Sequence, residues 1–101
     1  MKGEFARPLL ITSTHPSLAG HFPGQPLVPG VVLLEQVALA LRAWRAQRLA
    51  WVVEAKFVAP LLPGESATLC LTPAATGGSA VRFEIHRDGT LLARGLVEGV
   101  S

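Results

Sequence analysis

Tyrosine is absent from these 101 residues, and two tryptophans and four phenylalanines are the only aromatics. With a formal net charge of only +2, the chain lacks both the stacking faces and the cationic field that a nucleic-acid surface needs. One cysteine, Cys70, excludes an internal disulfide and a cysteine-built metal cluster. In its surroundings it reads as a small buried hydrophobe in a strand. Three scattered histidines without a helical pair make a poor ligand set, so no metal is expected. No apolar run is long enough to span a bilayer, and Met1-Lys2-Gly3-Glu4 opens no signal-peptide h-region. A cytoplasmic protein with no membrane contact is expected. Charged residues make up only 16% of the chain while half of it is hydrophobic. That is rich for one small domain, expected here over residues 1–101, and implies apolar surface buried between subunits.

What the chain has instead is a stiff loop. Gly20-His21-Phe22-Pro23-Gly24-Gln25-Pro26-Leu27-Val28-Pro29-Gly30 holds three prolines and three glycines in eleven residues. Proline fixes φ and glycine admits φ > 0, so a defined, non-repetitive path results. His21 stands at its head. Pro29 and Gly30 occupy the places where a helix begins. No glycine or proline follows from Val31 to about Arg48, and alanine and leucine abound, so this stretch is predicted to be a helix. Its first half is apolar on nearly every side and calls for a sheet that surrounds it. Within that half lies one carboxylate, Glu35. Arg42, Arg45, Gln47 and Arg48 carry the far end into water and complement the helix dipole.

The remainder reads as strands. Phe5 to Thr14 is apolar and β-branched, with Pro8 marking a late start or an edge. Between Ala50 and Val58, Trp51, Val53, Ala55 and Phe57 are predicted on one face and Glu54 and Lys56 on the other. Pro60 to Glu65 is a turn. Ala67, Leu69 and Leu71 alternate with Thr68, Cys70 and Thr72, and Val81, Phe83 and Ile85 with Arg82, Glu84 and His86. Ala74 to Ser79 is a hairpin loop, and Asp88-Gly89 is a two-residue hairpin turn leading into Thr90 to Val100. One strand, one long helix and four antiparallel strands make an α+β layer.

The run Gly20-His21-Phe22-Pro23-Gly24-x-Pro26-x-x-Pro29-Gly30-Val31, followed by Glu35, resembles the signature of hotdog-fold 3-hydroxyacyl-(acyl-carrier-protein) dehydratases. Lys56-Phe57-x-x-Pro60-x-x-Pro63-Gly64-Glu65 and Asp88-Gly89-x-x-x-Ala93-x-Gly95 are similar to later segments of that family, in the right order. The resemblance implies a sheet wrapped around a central helix, dimerised edge to edge, with histidine and carboxylate of each site drawn from opposite subunits. It also implies a cis peptide after the motif histidine, here His21–Phe22. The chain looks like a compact member, with twenty residues before His21, and Leu39 stands where longer relatives usually carry glutamine.

Dehydration of a 3-hydroxyacyl thioester removes a proton from C2 and expels hydroxide from C3. It needs a base near neutrality, an acid for the leaving oxygen and a dipole on the thioester carbonyl. The resemblance assigns these to His21, Glu35 and the Gly30 amide, and the chemistry agrees. Imidazole is poised near neutral pH. Glu35 among Val31, Leu34, Ala38 and Leu39 is expected to be desolvated and protonated. A helix-start N–H can hold developing negative charge. Phe22, Pro23, Gly24 and Pro29 shape the loop. No bound cofactor is expected, the substrate arriving on the phosphopantetheine arm of acyl carrier protein, for which Arg42, Arg45 and Arg48 are candidate contacts. The partner subunit is a second copy or another hotdog chain. A non-catalytic subunit that binds the carrier and supports an active partner is the alternative function, and a thioesterase the third.

Overall fold

The computed structural model describes residues 3–12, 27–74 and 78–101. In chain order the elements are β1 (Phe5–Leu10), α1 (Gly30–Arg45), β2 (Arg48–Phe57), β3 (Ser66–Pro73), β4 (Ala80–Arg87) and β5 (Thr90–Val100). The strands form one antiparallel sheet in the order β1-β3-β4-β5-β2. Alternation in β3 and β4 falls as expected: Leu69, Leu71, Val81, Phe83 and Ile85 are buried. Against them α1 lays Val32, Leu33, Val37, Ala40 and Leu41, also buried. Each such aliphatic side chain contributes roughly 1.5–3 kcal/mol when fully removed from water. The result is the α+β hotdog arrangement, one helix held on the inner face of a single sheet. β1 lies at a sheet edge, where Pro8 is tolerated, and Asp88 (φ 51) and Gly89 (φ 83) turn the β4–β5 hairpin with left-handed backbone.

Two expectations need correction. The helix ends at Arg45 rather than near Arg48, because Ala46 takes the left-handed conformation (φ 55, ψ 34) and donates its N–H to Arg42 O. Arg48 therefore opens β2. The stop has no glycine to announce it, so sequence pattern runs past it. Left-handed backbone costs alanine about 1 kcal/mol relative to glycine. Ala46→Gly should accordingly raise stability by about 0.5–1 kcal/mol, read as a higher denaturant midpoint at unchanged slope.

The second correction concerns β2. Its register against β5 shifts between Leu49 and Trp51 and again between Val52 and Glu54. Each bulge inserts a residue and reverses the simple alternation. Val52, Ala55 and Phe57 consequently lie opposite Val97, Gly95 and Ala93 of the buried face, while Trp51 joins Glu54 and Lys56 opposite Glu98, Leu96 and Arg94 on the outer face. Trp51 does not share a face with Ala55 and Phe57.

The connection from β2 to β3 touches most of the molecule. Val58 and Ala59 donate their N–H groups to Leu92 O of β5. Val28, just before the helix, donates to Leu61 O at 2.9 Å, and Gly64 (φ 89) donates to Ile11 O at 2.8 Å. Trp44 packs at the sheet's β1 end, its ring 6.2 Å from that of Phe5.

Candidate active site

The site's described half starts at Pro29, whose extended backbone (φ −63, ψ 149) precedes the helix without a side-chain cap. The first turn holds no acidic residue. Val32 and Leu33 are the first amides bonded back, both to Pro29 O, so the Gly30 amide lies ahead of the intrahelical ladder. The positive end of the helix dipole therefore faces outward without a carboxylate of its own. Gly30 is there because of Phe57: a Cβ on it would come 2.8 Å from Phe57 Cζ. Together with Leu27, Val28, Leu33, Val58 and Leu61 these two residues line an open apolar pocket of about 230 Å³. Phe57 is a site-wall residue that strand alternation alone does not reveal; its signal is the Lys56-Phe57-x-x-Pro60 segment.

Glu35 is not enclosed within one chain. Val31 (66% exposed) and Leu39 (54%) flank it one turn away on either side, and Glu35 itself is exposed. This overturns the expectation that its helical neighbours desolvate it: the sheet covers the opposite side of α1. Five helical positions separate Gly30 from Glu35, a rotation of about 140° around the axis. The Glu35 side chain is accordingly not among those lining the Gly30 pocket. One subunit brings Gly30 and Phe57 together and leaves Glu35 on a different face.

The three arginines are also divided. Arg45 lies over the Trp44 ring, 4.2 Å from its centroid, a cation–π contact. Arg42 and Arg48 instead line a second groove, about 230 Å³, with Leu39, Gln47 and Leu49. On the outer face of the sheet His86 is half-buried and shares a 2.9 Å contact with Glu84 Oε1, and burial, followed by the Glu84 and Glu4 carboxylates, pushes the Cys70 thiol up. Among the described residues no three His, Cys, Asp or Glu side chains form a metal-binding group, and no helix is long and apolar enough to cross a membrane. His21, Phe22, Pro23, Gly24 and the His21–Phe22 peptide lie outside the described residues.

A single helix on the inner face of a five-stranded antiparallel sheet, with the helix start opening onto an apolar pocket, is the hotdog fold. Residues 3–96 match the ApeI-like family, described as ApeI dehydratase. The chain belongs to that family. It is 35% identical over 110 aligned positions to the 3-hydroxyacyl-(acyl-carrier-protein) dehydratase FabZ of Haemophilus influenzae, covering 90% of this chain and 74% of that one. Among solved structures it resembles the dehydratase heterocomplex ApeI:P from Xenorhabdus doucetiae, with TM-score 0.86 and 23% identity over all of this chain and 90% of that one. The pyran synthase domain from module nine of the sorangicin pathway follows at TM-score 0.77 and 24% identity, covering 98% of this chain and 36% of that one. The last two likenesses concern the fold.

Proposed function

We propose that the chain dehydrates 3-hydroxyacyl thioesters on acyl carrier protein to trans-2-enoyl thioesters, in fatty-acid or polyketide-type biosynthesis in the cytoplasm. The observation that carries this reading is the uncapped helix start at Gly30, opening onto an apolar pocket directly after the His21 loop of a FabZ-like sequence. The thioester carbonyl accepts from the Gly30 N–H, which stabilises the negative charge that grows on its oxygen as the C2 proton leaves. His21 takes that proton. Glu35 of a second subunit gives a proton to the C3 hydroxyl, which departs as water as the C2–C3 double bond forms. The acyl chain lies along Leu33, Phe57 and Leu61. No cofactor enters the balance.

A dimer is part of the proposal, because Glu35 shares neither face nor pocket with Gly30 inside one chain. A partner that covers Val31 and Leu39 also buries the face of α1 that carries Glu35. Carrier protein docks by its acidic surface on Arg42, about 18 Å along the helix from Gly30 by the rise of twelve residues, and on Arg48 at the start of β2, which lines the same groove. Arg45 is engaged with Trp44 and contributes less.

Leu39 supports the second reading, a non-catalytic subunit beside an active hotdog partner. Leu39 is apolar one turn from Glu35, where the family resemblance implies glutamine, so that place offers no hydrogen-bonding side chain. Purified protein supplied with a 3-hydroxyacyl carrier substrate decides between them. The dehydratase reading expects enoyl product, followed at the absorbance of the conjugated thioester. Inertness alone with turnover on adding a partner hotdog chain gives the subunit reading, and release of free acid gives the thioesterase.

A further inference from the structure

The turn between β2 and β3 holds both ends of the segment that carries His21. Ile11 leaves β1 with its carbonyl accepting from Gly64, and the chain returns at Val28, whose N–H donates to Leu61. Only two residues separate Leu61 from Gly64. Where this turn sits therefore decides where the loop begins and where it hands over to the helix at Gly30.

The turn is itself strapped to the end of β4, the middle strand of the sheet. Arg87 closes β4, next to the tight Asp88-Gly89 turn and paired with Thr90 of β5. Its Nη1 donates to Pro60 O at 2.8 Å and to Glu65 Oε1 at 3.0 Å. The same Glu65 oxygen accepts from the Leu62 N–H at 2.9 Å. One guanidinium thus joins the first and last residues of the Pro60–Glu65 turn, and the Glu65 carboxylate also braces its middle at Leu62. The ion pair is only partly exposed, with the Arg87 side chain at 27% and Glu65 at 35%. A guanidinium suits this task because its charge and several donors lie in one rigid plane.

We propose that Arg87, through Glu65 and Pro60 O, is a positioning residue for the active site: it fixes the turn to which both ends of the His21 segment are bonded. It touches no reacting atom. Its effect on turnover rests on the dehydratase reading above, whereas its hold on the turn does not. An ordinary surface ion pair holding only its own loop would leave Val28 and catalysis unchanged.

The test uses Arg87→Met, which keeps the apolar stem and removes the donors, with Arg82→Met on the same strand as control. Amide hydrogen exchange followed by NMR should show Val28 and Gly64 exchanging about tenfold faster, with Phe83 and Leu92 unchanged. On a 3-hydroxyacyl N-acetylcysteamine thioester, kcat should fall about tenfold while KM stays within about twofold, as misplacement of catalytic groups rather than loss of binding predicts. Arg82→Met should match the wild type in both. Should Phe83 and Leu92 also speed up, the milder Glu65→Gln is measured instead. It keeps an oxygen for the Leu62 N–H and removes only the charge facing Arg87, and the same pattern is expected at about threefold. Unchanged exchange at Val28 and Gly64 overturns the proposal, as does an unchanged kcat in a variant whose exchange has increased. A wild type inert toward this thioester and toward the carrier-bound substrate sinks the dehydratase reading, and the exchange rates still decide whether Arg87 holds the turn.

Discussion

Mixing two dead variants should restore activity. His21→Ala and Glu35→Gln, each alone, are expected to lower kcat by about 10²–10⁴, the range for removing a positioned acid or base. If a homodimer builds each site from the His21 loop of one subunit and Glu35 of the other, a mixed dimer contains one site with both defects and one with neither. Unfolding the two variants together and refolding them at equal concentration gives mixed dimers as half of the population. About a quarter of wild-type activity then returns, since one of two sites in half the dimers is intact. Sites formed within one subunit give no recovery at all, because every site retains one defect. The geometry behind this is the separation of Gly30 and Glu35 on α1: the pocket at the helix start does not include Glu35, which lies on an exposed face with Val31 and Leu39.

The largest loss of stability is expected at Gly95. This residue sits at the centre of β5, opposite Phe83 of β4 and Ala55 of β2. A Cβ there would run into the Glu54 carbonyl oxygen and come 2.5 Å from Phe83 Cε2. Neither neighbour yields easily. The carbonyl is backbone in a strand, and Phe83 is only 1% exposed at the middle of the core. Gly95→Ala should therefore cost about 3 kcal/mol, the upper part of the range for overpacking a core. For a domain of this size that lowers the melting temperature by roughly 12–24 °C. A shift of less than a few degrees, measured by calorimetry, would show that the sheet opens at β2 to admit the methyl group. The bulge beside Glu54 makes that strand the place to look.

Much of this molecule is written in local pattern. β3 and β4 keep strict alternation, so Leu69, Leu71, Val81, Phe83 and Ile85 announce the core one residue in two. Asp88-Gly89 gives its hairpin outright, since few other pairs accept two successive positive φ values. The described part of the candidate site is legible at Gly30, because Pro29 fixes φ just ahead of the helix and a glycine follows it. What pattern misses has particular causes. The helix stop at Ala46 is a left-handed alanine, a conformation for which alanine gives no signal. The two bulges in β2 arise where β2 bends against β5, and no glycine or proline marks them. Glu35 misleads for a different reason: apolar neighbours along a helix show that a face will be buried, without saying by which chain. The Arg87 strap joins residues 22 and 27 positions apart, beyond any local spacing rule.

The two sheet edges differ in what they offer to other chains. β1 is six residues long, and Pro8 removes one of its donors. β2 runs for ten residues without proline, and Trp51, Val53 and Phe57 are each about half exposed along it. Such a strand is a template for any extended segment that meets it, and charges such as Glu54 and Lys56 discourage the wrong ones only weakly. In recombinant expression the exposed β2 edge is therefore where misassembly starts, and solubility falls as the concentration of uncovered edges rises.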